Sequence, residues 1–147
     1  MLETEVRSHF GVYAFIFKDA TRQELLVIKK ARGPYTGRYD LPGGSLEPTE
    51  LIDAALVREI QEEVGCETTS HKEIGSVSTL FKYTQENKEV LFRHIGVLFE
   101  VTIYGTPKED ADGEDSNGCV WVPVQSILPE QVSPFVIEGL RKLNLIK

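Results

Sequence analysis

The chain of 147 residues has little cysteine, no long apolar run and no block of biased composition. Its two cysteines, Cys66 and Cys119, are too few for a disulfide framework and fit a reducing compartment. No apolar segment approaches the roughly 18 residues that a membrane-spanning helix needs. The first ten residues lack the basic-then-apolar pattern of a secretory signal. We therefore expect a cytoplasmic protein that does not enter a membrane.

Basic residues are also in the minority, with 16 Lys and Arg against 23 Asp and Glu and a formal net charge of −7. This surplus argues against a broad surface that contacts the phosphates of a nucleic acid polymer. The acids are concentrated: residues 44–63 carry six against one arginine, and residues 108–115 carry five against one lysine. If the fold brings these segments together, they would attract divalent cations to one site.

What the chain does have is the composition of one globular domain, with 41% hydrophobic and 27% charged residues. We expect a single domain over residues 1–147 and an α/β sandwich. Apolar alternation predicts a strand buried on both faces, a hairpin partner for it, and a second hairpin later in the chain. The predicted strands cover residues 6–18, 25–28, 74–83, 90–103 and 119–122.

Loops and helices are indicated by the turn formers and by their absence. Residues 29–44 are rich in Gly and Pro, which predicts a shaped loop without regular structure. Residues 50–64 contain neither and predict a helix, with Thr49 as its N-cap and Gly65 at its end. Residues 104–118 predict an acidic loop, and Ser133-Pro134 predicts the start of a final helix.

Three carboxylates of the first predicted helix, Glu59, Glu62 and Glu63, fall within about 100° of arc beside its core-facing stripe. Like charges at this spacing repel, and a cation would relieve the repulsion. Oxygen ligands without nearby His or Cys suit Mg²⁺ or Mn²⁺. The alternative is a solvated acidic face with one ion pair between Arg58 and Glu62. On the helix alone this alternative is favoured.

The preceding loop changes that balance. Leu41-Pro42-Gly43-Gly44 leads towards the helix, and Gly44 is followed after five residues by Glu50 and after seven more by Arg58-Glu59-Ile60-Gln61-Glu62-Glu63-Val64-Gly65-Cys66. This pattern resembles the Nudix box, G-x5-E-x7-R-E-U-x-E-E-x-G-U, where U is a bulky aliphatic residue. Average residue frequencies make a chance match of the order of 1 in 10⁷. The one departure is Cys66, a small apolar substitute for Ile, Leu or Val.

The resemblance implies a Nudix-type α/β/α sandwich with a mixed, largely antiparallel sheet between helices. It also implies metal-dependent hydrolysis of a nucleoside diphosphate linked to another group, cutting the pyrophosphate. Carried onto this chain, it assigns Glu59, Glu62 and Glu63 as ligands of Mg²⁺ or Mn²⁺. Glu50 is an outer or occasional ligand, and Arg58 orients a carboxylate. In the loop, the resemblance implies that Gly43 lets the backbone approach the substrate and that the Gly44 carbonyl is a further metal ligand.

The general base and the substrate contacts stay open. Our candidates for the base are Glu114 and Asp115 of the later loop, with Glu62 as the alternative within the box. The competing interpretation of that loop is a solvated acidic run. The basic residues before the box are candidates for phosphate contact, with ordinary surface charge as the alternative: Lys30, Arg32 and Arg38. Aromatic residues that could stack on a base, or belong to the core, are Tyr13, Tyr35, Phe81 and Tyr83. The histidines have no ligand spacing, and we interpret them as structural.

Residues after the box bear on the substrate. Lys82 lies sixteen residues past Cys66, where subclasses acting on ADP-ribose or dinucleoside polyphosphates carry Pro or Tyr. By elimination a free nucleotide such as a (deoxy)nucleoside triphosphate is favoured, and a dinucleoside polyphosphate or a nucleotide sugar is the alternative. A nucleotide-sensing domain without turnover stays open, whereas the acidic balance disfavours an RNA-end hydrolase. The sequence does not fix the oligomeric state, and a homodimer stays open.

Overall fold

A computed structural model describes residues 3–109 and 116–147. Within these ranges the chain forms strands β1 (Glu3–Ile16), β2 (Glu24–Lys30), β3 (Tyr39–Asp40), β4 (Gly43–Gly44), β5 (Glu67–Gln85), β6 (Lys88–Tyr104) and β7 (Ser116–Pro123), and helices α1 (Ile52–Glu63) and α2 (Pro134–Lys142). Two 3₁₀ turns, Val124–Ser126 and Pro129–Gln131, precede α2. No helix in the described residues is long and apolar enough to cross a bilayer.

The strands form two sheets, one in the order β4-β1-β6-β5 and the other in the order β3-β2-β7. β1 and β6 pair in parallel from Glu3 opposite Lys88 to Ile16 opposite Val101, and the other ladders are antiparallel. One face of β1 packs with α1 and the other with α2, so β1 contributes to two apolar cores. The predicted α/β sandwich with a mixed sheet is confirmed, although its strands divide between two sheets.

The predicted hairpin between the first two strands is wrong. β1 and β2 share only an isolated bridge, from Phe17 to Leu25, and then belong to different sheets. Both edges of β1 are occupied, by β6 along its length and by β4 at Val12 and Tyr13. β2 therefore pairs with β3 and β7, which adds the second sheet to the same cores.

The loop predicted over residues 29–44 is partly regular. Its first two residues complete β2, and β3 and β4 are strands of two residues each. Gly43 makes the contact of β4 with β1 feasible, because its φ is +149° and a β-carbon there would come within 2.1 Å of the Val12 carbonyl oxygen. This glycine cannot be replaced without moving one of the two strands.

Helix α1 starts later than predicted. Its N-cap is Leu51 rather than Thr49, and no side chain caps it. Gly65 ends the helix as predicted, with φ +77° and its N–H donating to the carbonyls of Ile60 and Gln61. Helix α2 begins at Pro134 with Ser133 as its N-cap, but the Ser133 hydroxyl donates to Asp40 instead of the helix.

The second hairpin is confirmed and is longer than predicted. β5 and β6 pair from Glu67 opposite Tyr104 to Gln85 opposite Lys88, across a two-residue turn in which Glu86 and Asn87 have positive φ. The first half of β1 follows this hairpin outward, which extends the first sheet beyond the helices. Of the predicted acidic loop, residues 110–115 lie outside the described residues.

Candidate active site

A cleft of about 1250 Å³ lies between the extended face of the first sheet, the β2–β3 loop and the last turn of α1. The box glutamates Glu59, Glu62 and Glu63 line one end. Basic and aromatic residues from β1, the β2–β3 loop and the hairpin tip line the other, and include Arg7, Arg32 and Tyr83. The cleft is therefore acidic at one end and basic at the other.

Glu63 is the most enclosed of the box glutamates, at 7% exposure. Its Oε2 accepts a hydrogen bond of 2.9 Å from the Gly43 N–H. Since β4 pairs with β1 at Tyr13, this bond fixes a carboxylate of α1 against the first sheet. A buried carboxylate is costly unless partners or a cation compensate it, so this position is unusual for a helix surface.

Glu59 lies against the second glycine of the box loop. A β-carbon on Gly44 would come within 2.9 Å of Glu59 Oε1, closer than a side chain tolerates. The side chain of Glu59 is only 13% exposed. The two glycines therefore have different roles: Gly43 allows β4 to pack closely beside β1, and Gly44 leaves space for the Glu59 carboxylate.

Arg58 joins the acids of this end. Its guanidinium bonds both oxygens of Glu50 at 2.8 Å, and its Nη1 reaches Glu59 at 3.0 Å and Glu62 at 3.2 Å. Hydrogen bonding to Arg58 lowers the pKa of Glu50 to about 2, and the same bond raises the pKa of Arg58. The expected pair between Arg58 and Glu62 is present, but the strongest partner of Arg58 is Glu50.

The donor set of this end fits a hard divalent cation, because Glu59, Glu62 and Glu63 offer only oxygen and Glu63 is already enclosed. Within the described ranges, no three His, Cys, Asp or Glu side chains already surround one point. Glu59 and Glu62 pair with Arg58 instead, and Glu63 accepts from the Gly43 N–H. Both carboxylate oxygens of Glu50 accept hydrogen bonds from Arg58. Glu50 is therefore placed to orient Arg58 rather than to bind a cation.

Glu62 is the exposed member, with 58% of its side chain accessible at the mouth of the cleft. The Lys108 ammonium donates to its backbone carbonyl and so closes the C-terminal turn of α1. The alternative base candidates, Glu114 and Asp115, lie outside the described residues.

Three buried polar side chains, His94, Tyr13 and Tyr35, form the floor of the cleft. The His94 imidazole lies between two tyrosines, with Nε2 at 2.7 Å from the Tyr13 hydroxyl and Nδ1 at 3.0 Å from the Tyr35 hydroxyl. Burial, followed by His9 and Lys30, lowers the pKa of His94 to about 3, so the ring is neutral at ordinary pH. Burial raises the pKa of both tyrosines. At 5% and 3% exposure, neither tyrosine can stack on a nucleobase.

Asp40 is a second buried group that the sequence did not single out. Its Oδ1 accepts hydrogen bonds from the Leu41 N–H at 2.8 Å and from the Ser133 hydroxyl at 2.5 Å. It therefore links the start of the box loop to α2. The link joins residues 93 positions apart, which no local pattern could indicate.

The basic candidates divide. Lys30 and Arg32 line the cleft. Arg38 does not: its Nη1 donates to the carbonyls of Val132 and Pro129, and its guanidinium lies over the Phe81 ring at 5.1 Å. These contacts join the loop to the segment before α2, and the expected phosphate contact of Arg38 stays a prediction.

Comparisons with known proteins agree with this geometry. A family model described as NUDIX domain matches residues 7–143. A putative 8-oxo-dGTP diphosphatase of Bacillus subtilis is 33% identical over 112 residues, 76% of this chain and 64% of that protein. An ADP-ribose pyrophosphatase of Methanocaldococcus jannaschii is 45% identical over 83 residues, 56% of this chain and 45% of that protein. The chain spans about half the length of several curated relatives that it matches.

The fold also matches solved structures. The crystal structure of a MutT NUDIX hydrolase from Burkholderia pseudomallei superposes with a TM-score of 0.73 at 22% identity. The match covers 93% of this chain and 98% of that one. At this identity the likeness concerns the fold.

Proposed function

The chain belongs to the NUDIX family, and from that premise we propose that it is a hydrolase that cuts the pyrophosphate bond of a nucleoside diphosphate linked to another group. The observation that carries the proposal is the acidic end of the cleft. There Glu63 is enclosed by the backbone of Gly43, and Glu59 fills the space that Gly44 leaves open. Neither the contact of Glu63 with Gly43 nor that of Glu59 with Gly44 is needed for the stability of the helix itself.

Each residue of that end has a distinct task in the proposal. Glu59, Glu62 and Glu63 hold Mg²⁺ or Mn²⁺, with the Gly44 carbonyl as a further oxygen donor. When bound, the cation neutralises phosphate charge and lowers the pKa of a water that attacks phosphorus. Arg58 orients Glu59 and Glu62, and Glu50 holds Arg58 in turn. This arrangement lets the acids turn from Arg58 towards a cation without leaving Arg58 unpaired.

We assign the general base to Glu62, and Glu114 and Asp115 remain the alternatives. Glu62 is exposed at the mouth of the cleft, where water and substrate enter, and it has less hold on Arg58 than Glu50 has. Among Glu59, Glu62 and Glu63, the carboxylate of Glu62 is therefore the most accessible for taking a proton from water. The loop variants Glu114→Gln and Asp115→Asn separate the alternatives, because a base in that loop would cost one of them most of its turnover number. If both keep near-normal turnover, the base is not in that loop; Glu62→Gln should lose turnover in either case, since Glu62 is also a proposed metal ligand.

For the substrate we propose a free nucleotide such as a (deoxy)nucleoside triphosphate. The supporting relative is the Bacillus subtilis protein, which is named for 8-oxo-dGTP and matches most of this chain. ADP-ribose, for which the archaeal relative is named, is the main competitor, beside dinucleoside polyphosphates and nucleotide sugars. We also propose that residues 1–147 form one domain, since β1 and β2 contribute to both cores.

The experiment is a screen of these nucleotides, with release of phosphate, pyrophosphate or nucleoside monophosphate measured in Mg²⁺ and in excess chelator. We expect release that needs the metal. Release that persists in chelator would contradict the metal site. Tight nucleotide binding without release of any product would instead favour a nucleotide sensor.

A further inference from the structure

Arg7, at the basic end of the cleft, lies too far from the box glutamates to bind the same phosphates. Tyr13 and Arg7 lie on the same face of β1, and Tyr13 pairs with Gly43 at the acidic end. Six residues of extended chain separate them, which is about 20 Å. A single pyrophosphate held near Glu63 covers only part of this length.

One wall of the basic end is built around Arg7. Its Nη1 donates to the Tyr83 hydroxyl at 3.2 Å and to Gln85 Oε1 at 2.9 Å, and its Nη2 pairs with Glu5 at 2.8 Å. These partners come from β1 and from the tip of β5, so the guanidinium is held in place although its side chain is 43% exposed. Only the pair with Glu5 offsets its charge, and both members of that pair are exposed.

The opposite wall consists of the end of β2, with Lys30, and the β2–β3 loop, with Arg32. Tyr35 anchors this loop to the sheet through its hydroxyl contact with His94. The Lys30 backbone adds two bonds of 2.9 Å within the loop, to Gly37 and Arg38. Burial chiefly, with the charge of Lys30 as a further cause, lowers the pKa of His9 and His94. Arg32 is exposed and has no ion-pair partner among the described residues.

The guanidinium groups of Arg7 and Arg32 and the Lys30 ammonium all line this cleft. The carboxylates among its described lining residues are Asp40 and the box glutamates, and Glu5 pairs with Arg7 beside it. A bound anion would have to displace Glu5 from Arg7, and an exposed pair of this kind is worth little. Guanidinium groups suit phosphate, because their donors match its oxygens in pairs.

We propose that this basic end binds a second anionic group of the substrate, carried on the side of the molecule away from the pyrophosphate that is cut. The inference rests on the proposed function for the position of that pyrophosphate, and it refines the substrate class. A nucleotide with a further phosphate on its ribose, or a comparable polyphosphorylated molecule, fits both ends of the cleft. A plain nucleoside triphosphate occupies the acidic end and carries no phosphate that reaches Arg7 and Arg32.

Binding tests the inference without relying on turnover. Adenosine 3′,5′-bisphosphate and adenosine 5′-monophosphate differ by one remote phosphate, and calorimetry gives the dissociation constant of each without added metal. Hydrolysis supplies a second arm: guanosine 5′-triphosphate is compared with its 3′-diphosphate derivative in Mg²⁺. The variant is Arg7→Gln/Arg32→Gln. Its matched control, Arg93→Gln/Lys72→Gln, removes the same charge from exposed positions that do not line the cleft.

We expect the protein to prefer the doubly phosphorylated member of each pair by about tenfold, which corresponds to about 1.4 kcal/mol. The preference should act through binding and KM, weaken with added salt, and disappear in Arg7→Gln/Arg32→Gln but not in the control. Equal affinity for both members, or a preference that survives the variant, would overturn the inference. Preferential binding without hydrolysis would contradict the proposed function alone.

Discussion

Gly44→Ala tests whether the fold reserves the space beside Gly44 for the carboxylate of Glu59. A β-carbon at this position meets Glu59 Oε1 at 2.9 Å and Oε2 at 3.1 Å, and those contacts are the nearest it makes. Ordinary contact begins at about 3.4 Å, so the carboxylate must retreat by about 0.5 Å. A displacement of about 1 Å in a catalytic group can cost about 10²-fold in rate. We therefore expect kcat/KM to fall roughly tenfold.

The same substitution should leave the fold intact. The φ of Gly44 is not in the left-handed region, and exchanging Gly for Ala at a compatible position stabilises by about 0.4–1 kcal/mol through the unfolded chain. The assay is a Mg²⁺ titration of activity beside urea unfolding, with Ser45→Ala as the neighbouring control. Activity that falls in proportion to the free energy of unfolding would refute the reasoning. So would an unchanged kcat/KM and Mg²⁺ dependence.

Two further predictions concern the buried groups. Asp40→Ala should lower the free energy of unfolding by roughly 3 kcal/mol, because it leaves two donors without a charged acceptor. Asp40→Asn should lower it less. A loss under about 1 kcal/mol for Asp40→Ala in urea titration would contradict the link to Ser133. The pKa of His94 is about 3 when folded and near 6.5 when unfolded, so the unfolded chain takes up a proton first. Stability should therefore fall, by the order of a few kcal/mol, as the pH drops from 6.5 towards 3. Replacing His94 by Phe should flatten this part of the pH profile, and His71→Gln should not; an unchanged slope in the Phe variant would show that another group is responsible.

The box residues were predictable because their chemistry is local. The spacing of Gly44, Glu50 and Arg58 lies within one loop and one helix, and the structure places Arg58 between Glu50, Glu59 and Glu62. Helical periodicity is sufficient to place carboxylates on one face. It does not show that Glu63 is enclosed by Gly43, since that depends on β4 pairing with β1.

The floor of the cleft was not predictable, because its contacts also depend on which strands pair. His94 contacts tyrosines 81 and 59 positions away. The parallel pairing of β1 with β6 brings Tyr13 to it, and the β2–β3 loop brings Tyr35. The partners of Arg38 were not predictable either, because charge alone does not show that backbone carbonyls near α2 accept its hydrogen bonds. The first hairpin was misjudged because alternation predicts strands but not the sheet to which each one belongs.

The central claim is that the glutamates of α1 hold a divalent cation on which pyrophosphate hydrolysis depends. Glu63→Gln tests it most directly, because this change keeps the shape of the side chain and an acceptor for the Gly43 N–H while removing the charge. Glu73→Gln, at an exposed position on β5, is the control. The measurement is the rate of hydrolysis against Mg²⁺ concentration, with urea unfolding in parallel. We expect Glu63→Gln to need far more Mg²⁺ and to lose at least about 10²-fold in kcat/KM at unchanged or higher stability, whereas Glu73→Gln behaves as the parent. A Glu63→Gln variant with the parent's Mg²⁺ dependence and rate would contradict the account.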